Sequence, residues 1–356
     1  MSKIVLYCLC VFLVLSGVQE GYAQFDRKSI KSGNKRMASY RGNKSRFGKQ
    51  RQYNALGFSV NAFNYYGDLS PSPNKLSTDI SFTKPGFALS YARRMGPRFT
   101  LQGQFMFGTI KGSDQESADK GDPSNGIYRY QRNLSFRNQI KELSVIAIFD
   151  LYENQSTYMA RVKWTPYIYL GVAGFFHNPQ ALAPATDLQG NAISQSGSWV
   201  DLQPLGTEGQ NSALSPTDVN YGNKPYSLVQ FAVPFGLGAR FRLNEVLDLS
   251  FDIGFRYTFT DYLDDVSKNY VDLGKLGSPL AQALSYRTNE LPGYPKNPIN
   301  SGILDKNGNP VMIEGGYGIE AKDNLRGGSK QNDIYMVTSI KLSYILSPNY
   351  HQAKFR

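Results

Sequence analysis

The chain has 356 residues, 39 Lys and Arg against 28 Asp and Glu, a formal net charge of +11 and a mean hydropathy of −0.39. Beyond its first two dozen residues no apolar run approaches the roughly 20 that a membrane-spanning helix needs, which excludes a helical inner-membrane protein. Alternating strands hide their hydrophobicity from such averages, so an outer-membrane barrel stays open, and 24 Tyr and 21 Phe suit its interfacial girdles.

The first segment reads as a secretory signal, residues 1–23. Lys3 precedes an apolar run from Ile4 to Leu15, too short to span a bilayer, and Gly21-Tyr22-Ala23 offers a small-x-small cleavage site. Both cysteines, Cys8 and Cys10, fall inside it, so the mature chain is expected to hold no disulfide and no Cys-ligated metal.

Residues 24–52 form a basic arm. Arg27, Lys28, Lys31, Lys35, Arg36, Arg41, Lys44, Arg46, Lys49 and Arg51 stand against Asp26 alone, and ten minus one gives nine of the net +11. Interspersed Ser, Gly and Asn with little apolar content cannot bury a core, so the arm is expected to be disordered when free. On the periplasmic side nucleic acid is not expected; the candidates are anionic lipid, peptidoglycan or an acidic protein, against the plainer reading of a solvated tail with no specific partner.

Eight strands follow, at about 53–66, 85–95, 98–110, 137–151, 163–176, 228–242, 245–259 and 333–346. The clearest pair is 228–259. Val229, Phe231, Val233, Phe235, Leu237, Ala239 and Phe241 share one face, then Leu247, Leu249, Phe251, Ile253, Phe255, Tyr257 and Phe259, against polar or small residues opposite. A period of two held for about twice an ordinary strand length is the pattern of a transmembrane barrel, with hydrocarbon outside and a polar interior. Trp164 and Phe176, at opposite ends of one strand, are girdle candidates. Pro234, inward-facing in the middle of the sixth strand, predicts a local bulge.

The connections alternate. Gly96-Pro97, Tyr152 to Val162 and Leu243-Asn244 are short, while 67–84, 111–136, 177–227 and 260–332 are long. Bacterial barrels have short turns in the periplasm and long loops outside, so the sequence predicts an all-β, eight-stranded antiparallel transmembrane barrel over 53–346. Both termini, including a tail at 347–356, are then periplasmic. The last two loops are long enough to carry structure of their own, with Asn307-Gly308 at the tip of an extra hairpin.

Eight strands leave an interior filled by side chains, which argues against a solute-sized pore. Glu142, Asp252, Arg256 and Lys341 point inward, and unpaired charges there would cost several kcal/mol each. An ionic plug in which Lys341 pairs with Asp252 or Glu142 is therefore expected.

Other chemistry is thinly supported. Barrel enzymes that modify lipid A need a nucleophile or base on the wall, most often histidine, and the chain has only His177 and His351, at opposite ends of the barrel. The sequence has no phosphate loop and no zinc spacing, and no cofactor is expected. Asp261, Asp264, Asp265 and Asp272 are a weak Ca²⁺ candidate, more simply read as turn and cap bonds in a solvated loop. Asp305, Asn307 and Asn309 are more simply an Asn-Gly turn. A surface receptor or adhesin using the long loops is a further alternative.

Several motifs together resemble the PorG-like (DUF6089) outer-membrane proteins of Bacteroidetes. They are Asn64-Tyr65-Tyr66-Gly67-Asp68-Leu69, Arg132-Asn133-Leu134-Ser135-Phe136-Arg137, Pro166-Tyr167-Ile168-Tyr169-Leu170-Gly171, Thr260-Asp261-Tyr262-Leu263-Asp264-Asp265-Val266, Arg326-Gly327 and Asn332-Asp333. The resemblance implies a non-enzymatic component of the type IX secretion system that ties a periplasmic PorK/PorN-type (GldK/GldN-type) ring to the outer membrane. Outer-membrane lipid is the expected partner of the apolar strand faces, and other outer-membrane translocon components are a further candidate partner.

Overall fold

A computed structural model describes residues 47–48, 51–70, 82–329 and 331–346. The expected signal at 1–23, nine of the ten cations of the expected arm and the expected tail at 347–356 lie outside the described residues.

Among the described residues twelve strands run in chain order: β1 (Tyr53–Tyr66), β2 (Lys84–Arg94), β3 (Phe99–Ser113), β4 (Ser135–Asp150), β5 (Trp164–Phe176), β6 (Pro179–Leu182), β7 (Trp199–Asp201), β8 (Val229–Arg242), β9 (Leu247–Thr258), β10 (Pro298–Leu304), β11 (Pro310–Glu314) and β12 (Ile334–Leu346). Eight of them close a barrel in the order β1-β2-β3-β4-β5-β8-β9-β12, every neighbouring pair antiparallel. The seam is the ladder between β1 and β12, from Asn54 opposite Leu346 to Tyr66 opposite Ile334. No sheet edge is left open along the wall, as a membrane requires of a β-structure.

The alternating pattern places hydrocarbon outward. Phe231, Val172 and Leu143 are 67–69 % exposed, while Glu142 and Met106 on the inner face are fully buried. On β4 the outward apolar positions run from Leu143 to Phe149 and on to Leu151, about 26 Å along the strand at roughly 3.3 Å per residue, or about 20 Å of height at a barrel strand's usual tilt of roughly 40°, most of the apolar band of such barrels. Trp164 packs against Tyr152 and Phe241 at the short-turn rim, with centroids 5.2 and 6.5 Å away, and Phe176 stands exposed at the other rim. The short turns at Met95–Arg98 and Leu243–Val246 are closed by backbone bonds from Met95 to Phe99 and from Leu243 to Leu247.

Pro234 makes no bulge. The β8–β9 register runs unbroken from Ala232 to Arg242, and the β5–β8 register is the same before and after the proline, with Leu170 opposite Phe235 and Ala173 opposite Ala232. In an antiparallel ladder a residue's N–H serves one neighbour only, so the missing donor opens the β5 side at Gly171 and Val172 without displacing the strand.

Beyond the belt, β3 and β4 continue outward, and β4 there pairs with β6, which pairs with β7. The long loops fold into a cap. It contains α1 (Asp114–Ser117), α2 (Gly126–Arg132), α3 (Pro279–Ser285) and the β10–β11 hairpin. α3 starts on Ser278, whose side chain accepts from Ala281 N, with Pro279 in the first turn. The cap has its own core of Tyr270, Leu273, Ala281, Tyr286, Ile313 and Tyr317. The hairpin tip is the predicted Asn307-Gly308: Asp305 accepts from the Asn307 and Asn309 amides at 2.8 Å, and Gly308 takes a φ of +82° that side chains disfavour.

Candidate functional site

The lumen is filled in three layers. At the short-turn end Asp150 receives Arg94 at 2.7 Å and Arg240 at 3.2 Å, while Asp248 receives Arg161 at 2.6 Å. Arg242 completes this layer by donating to the Arg161 carbonyl at 2.8 Å. Four arginines thus face two carboxylates at the short-turn mouth.

The middle layer holds the expected ionic residues in different partnerships. Glu142 is bound by Tyr335 Oη at 2.7 Å and lies 3.5 Å from Arg256 Nε. Asp252 accepts from Tyr167 Oη at 3.1 Å, and Lys341 Nζ donates to Gln102 Oε1 at 3.1 Å. Lys341 therefore forms an ion pair with neither Asp252 nor Glu142. Inward parity puts Lys341 opposite Ser250 on β9 and Ser59 on β1, whereas the longer Arg256, nearer the cap, reaches across to Glu142.

Above them lies an apolar stopper of Phe63, Met106, Ile110, Ile140, Phe175 and Val337, each at most 2 % exposed. The space left among Lys341, Asp252, Tyr169 and Gln104 is about 10 Å³, as is the one among Arg94, Arg161 and Arg242, each about enough for one water. Such a lumen leaves no solute-sized path among the described residues.

Over the stopper the motif residues from distant parts of the chain converge. Arg132, from the end of α2, grips Asp114 through Nε at 2.7 Å and Nη2 at 2.8 Å, a bidentate pair with both side chains buried. The same guanidinium donates to the carbonyls of Asp68 at 3.0 Å and Arg326 at 2.5 Å. Arg326, also buried, donates to Glu208 Oε1 at 3.1 Å and approaches Asp265 at 3.5 Å. Glu208 Oε1 in turn accepts the amides of Ser267 and Lys268. Two arginines thereby fix four loops to one another.

Beside them Tyr65 Oη lies 2.7 Å from both Asp264 Oδ2 and Asp333 Oδ1. One phenolic proton serves one acceptor, so the second contact needs a proton on a carboxyl group. Burial, reinforced by the charge of Asp333, pushes Asp264 well above the usual carboxylate range. Burial likewise pushes Asp333 up to about 8, and Asp261 up to about 9 with the charge of Asp333 adding to it.

The acidic residues 261, 264 and 265 are therefore no solvated turn. Asp264 and Asp265 are fully buried, and Asp265, at a φ of +67°, accepts from Tyr226 Oη at 2.8 Å. Asp272 alone is surface-like, bound to Lys275 and the Glu320 amide. Among the described residues no group of three or more His, Cys, Asp or Glu side chains is arranged to hold a metal ion.

His177 is buried against Tyr226, its ring nitrogens 3.4 Å from Asn138 Nδ2 and 3.2 Å from the Ser227 carbonyl, and burial pushes it down to about 4. Its ring thus contacts a stacked aromatic, an amide and a backbone carbonyl. His351 lies outside the described residues, and of the arm cations only Arg51 is described, donating to Gln155 at 3.0 Å. Glu208, Asp114 and Tyr226 were not legible as site residues; Glu208 sits in a loop with no periodic pattern to mark it.

Residues 44–195, somewhat under half of the chain, match the family profile described as "Domain of unknown function (DUF6089)". The matched stretch contains β1 to β6, with Tyr65, Asp114 and Arg132 of the cap knot. No curated protein matches the chain. Among solved structures, Ail, the attachment invasion locus protein of Yersinia pestis, is 7 % identical, with 83 % of this chain and 97 % of that one covered and a TM-score of 0.31. The outer membrane protein OprG from Pseudomonas aeruginosa is 9 % identical, with 85 % and 100 % covered and a TM-score of 0.34. A major outer membrane protein from Thermus thermophilus is 13 % identical, with 82 % and 99 % covered and a TM-score of 0.35. The closed wall with its apolar belt makes this chain an outer-membrane-type β-barrel by its own physics.

Proposed function

We propose that this protein is a non-enzymatic anchor in the outer membrane, a component of the type IX secretion system that holds a PorK/PorN-type (GldK/GldN-type) periplasmic ring. The single observation that carries the reading is the filled lumen. A barrel with three packed layers inside conducts nothing, so its usefulness lies in what its two rims hold.

In this reading the short turns and both termini face the periplasm and the cap faces outward. The sequence of residues 24–51, with ten Lys and Arg against Asp26 alone, suits an acidic partner surface on that side and gives fast, salt-dependent encounter. The DUF6089 match over residues 44–195 and the motif resemblance to the PorG-like proteins support the same assignment. The knot of Arg132, Asp114, Arg326, Glu208 and Asp265 serves to hold the cap shut.

Deleting residues 24–51 behind an intact signal segment, then identifying the periplasmic proteins that co-purify in mild detergent, tests the reading. Loss of ring proteins with the barrel still in the membrane fraction is the predicted result; an unchanged set of partners removes the arm from the function. Exchanging loops 177–227 and 260–332 should leave that set intact.

A further inference from the structure

We infer that the outward face of β3 and β4, just above the apolar belt, is a seat for a phosphate-bearing glycolipid of the outer leaflet. Lys111 and Arg137 are directly opposite one another in the β3–β4 ladder, and both point outward. Like charges placed opposite each other repel, and nothing in the packing demands them there. Four residues nearer the belt Lys141 is also outward, flanked by Phe107 on β3 and Phe176 on β5.

The neighbours of these cations are aromatic more than acidic. Arg137 stacks on Trp199 at 4.1 Å and donates to Gln180 at 3.0 Å, and Lys141 lies over the Phe176 ring at 5.6 Å. Among the described residues neither has a carboxylate within ion-pair distance; Lys111 has one, the half-exposed Glu116 at 3.0 Å. Thr109 and Gln139 fill the row between them and add hydrogen-bonding groups.

The face is thus a cationic and amide-bearing window two strands wide and about 13 Å tall at roughly 3.3 Å per residue. It is continuous below with the lipid-wetted surface at Phe105 and Leu143. A ligand here must keep its acyl chains against the belt and present anionic groups at the height of Lys141 to Arg137, as a phosphorylated sugar headgroup does. Guanidinium and ammonium groups match phosphate through charge-assisted bonds, and Trp199 and Phe176 offer ring faces to the sugar or glycerol edge. The inference rests on the orientation proposed above, with the cap outside.

The test uses the full-length mature protein in detergent micelles, with lipid A, enzymatically dephosphorylated lipid A and cardiolipin as probes and native mass spectrometry as readout. Wild type should retain lipid A about tenfold better than the dephosphorylated form, as expected when charge-assisted contacts are lost. K111Q/R137Q/K141Q should lose that preference while migrating as a folded, heat-modifiable barrel, and K111R/R137K/K141R should keep it. Equal retention of both lipid A forms, an unchanged preference in the Gln variant, loss in the charge-conserving variant, or cardiolipin held as well as lipid A would each overturn the inference. Protease access to residues 260–332 in intact cells reports the orientation separately, so an inverted barrel is distinguishable from a wrong ligand.

Discussion

Glu142 on β4 and Arg256 on β9 meet across the barrel interior, 3.5 Å apart and both essentially inaccessible to water, with Tyr335 bound to the same carboxylate oxygen. Removing one partner strands the other charge in a low-dielectric space. E142A should therefore destabilise the barrel by about 3–5 kcal/mol, whereas E142Q/R256M should recover much of the loss. Urea unfolding midpoints in detergent, read by tryptophan fluorescence, compare the two.

The lumen is also filled close to its limit. A Cβ on Gly108 would collide with the ring of Phe63, which is itself fully buried and has nowhere to turn. G108A should cost about 1–3 kcal/mol through overpacking, and F63L/G108A should return part of it. Thermal melting of the purified barrel gives the order of the three proteins.

Arg132 joins Asp114 to the backbones at Asp68 and Arg326, so it binds the cap more than the wall. R132A should leave the barrel heat-modifiable on gels while the loops at 111–136 and 260–332 become cleavable by trypsin or chymotrypsin. Asp114 then keeps Arg129 Nε at 3.4 Å and the Leu134 amide at 3.1 Å, so the loss should fall below the about 3–5 kcal/mol of a fully orphaned buried carboxylate.

The cap also carries a pH dependence of definite sign. Burial raises Asp333 to about 8, so between the ordinary carboxylate range near 4 and pH 8 the folded cap holds a proton that the opened cap releases. Stability from this group is full below pH 4, declines as pH rises, and is gone once pH passes 8; Asp261, raised to about 9, extends the decline. Protection factors, which remove the base-catalysed rise of intrinsic exchange with pH, should be lower for amides in residues 260–270 at pH 9 than at pH 6. D333N, which imitates the protonated acid beside Tyr65, should flatten that difference.

The barrel was legible in the sequence because its signal is local. Residues 229–242 and 247–258 declare their two faces by alternation alone, and the lengths of connections such as Gly96-Pro97 and 177–227 separate a short-turn rim from a long-loop rim. The lumenal partners were not legible. Alternation says that Lys341 and Arg256 point inward, but whether Glu142 meets one or the other depends on strand tilt and stagger, which no single strand encodes. Pro234 misled for a related reason, since the rule against proline in a sheet interior counts a donor that only one neighbour uses. Glu208 and Asp114 were hidden most deeply, each made functional by an arginine more than a dozen residues away.

The account depends most on a wall with no passage through it. Purified full-length protein reconstituted in planar bilayers measures this directly. A barrel packed as described gives no steady current beyond rare, brief events, and E142A or G108A gives no regular open level. Large, stable, stepwise conductance from the wild-type protein would show a continuous aqueous path past Phe63, Glu142 and Asp150, and would contradict both the filled lumen and the anchoring role built on it.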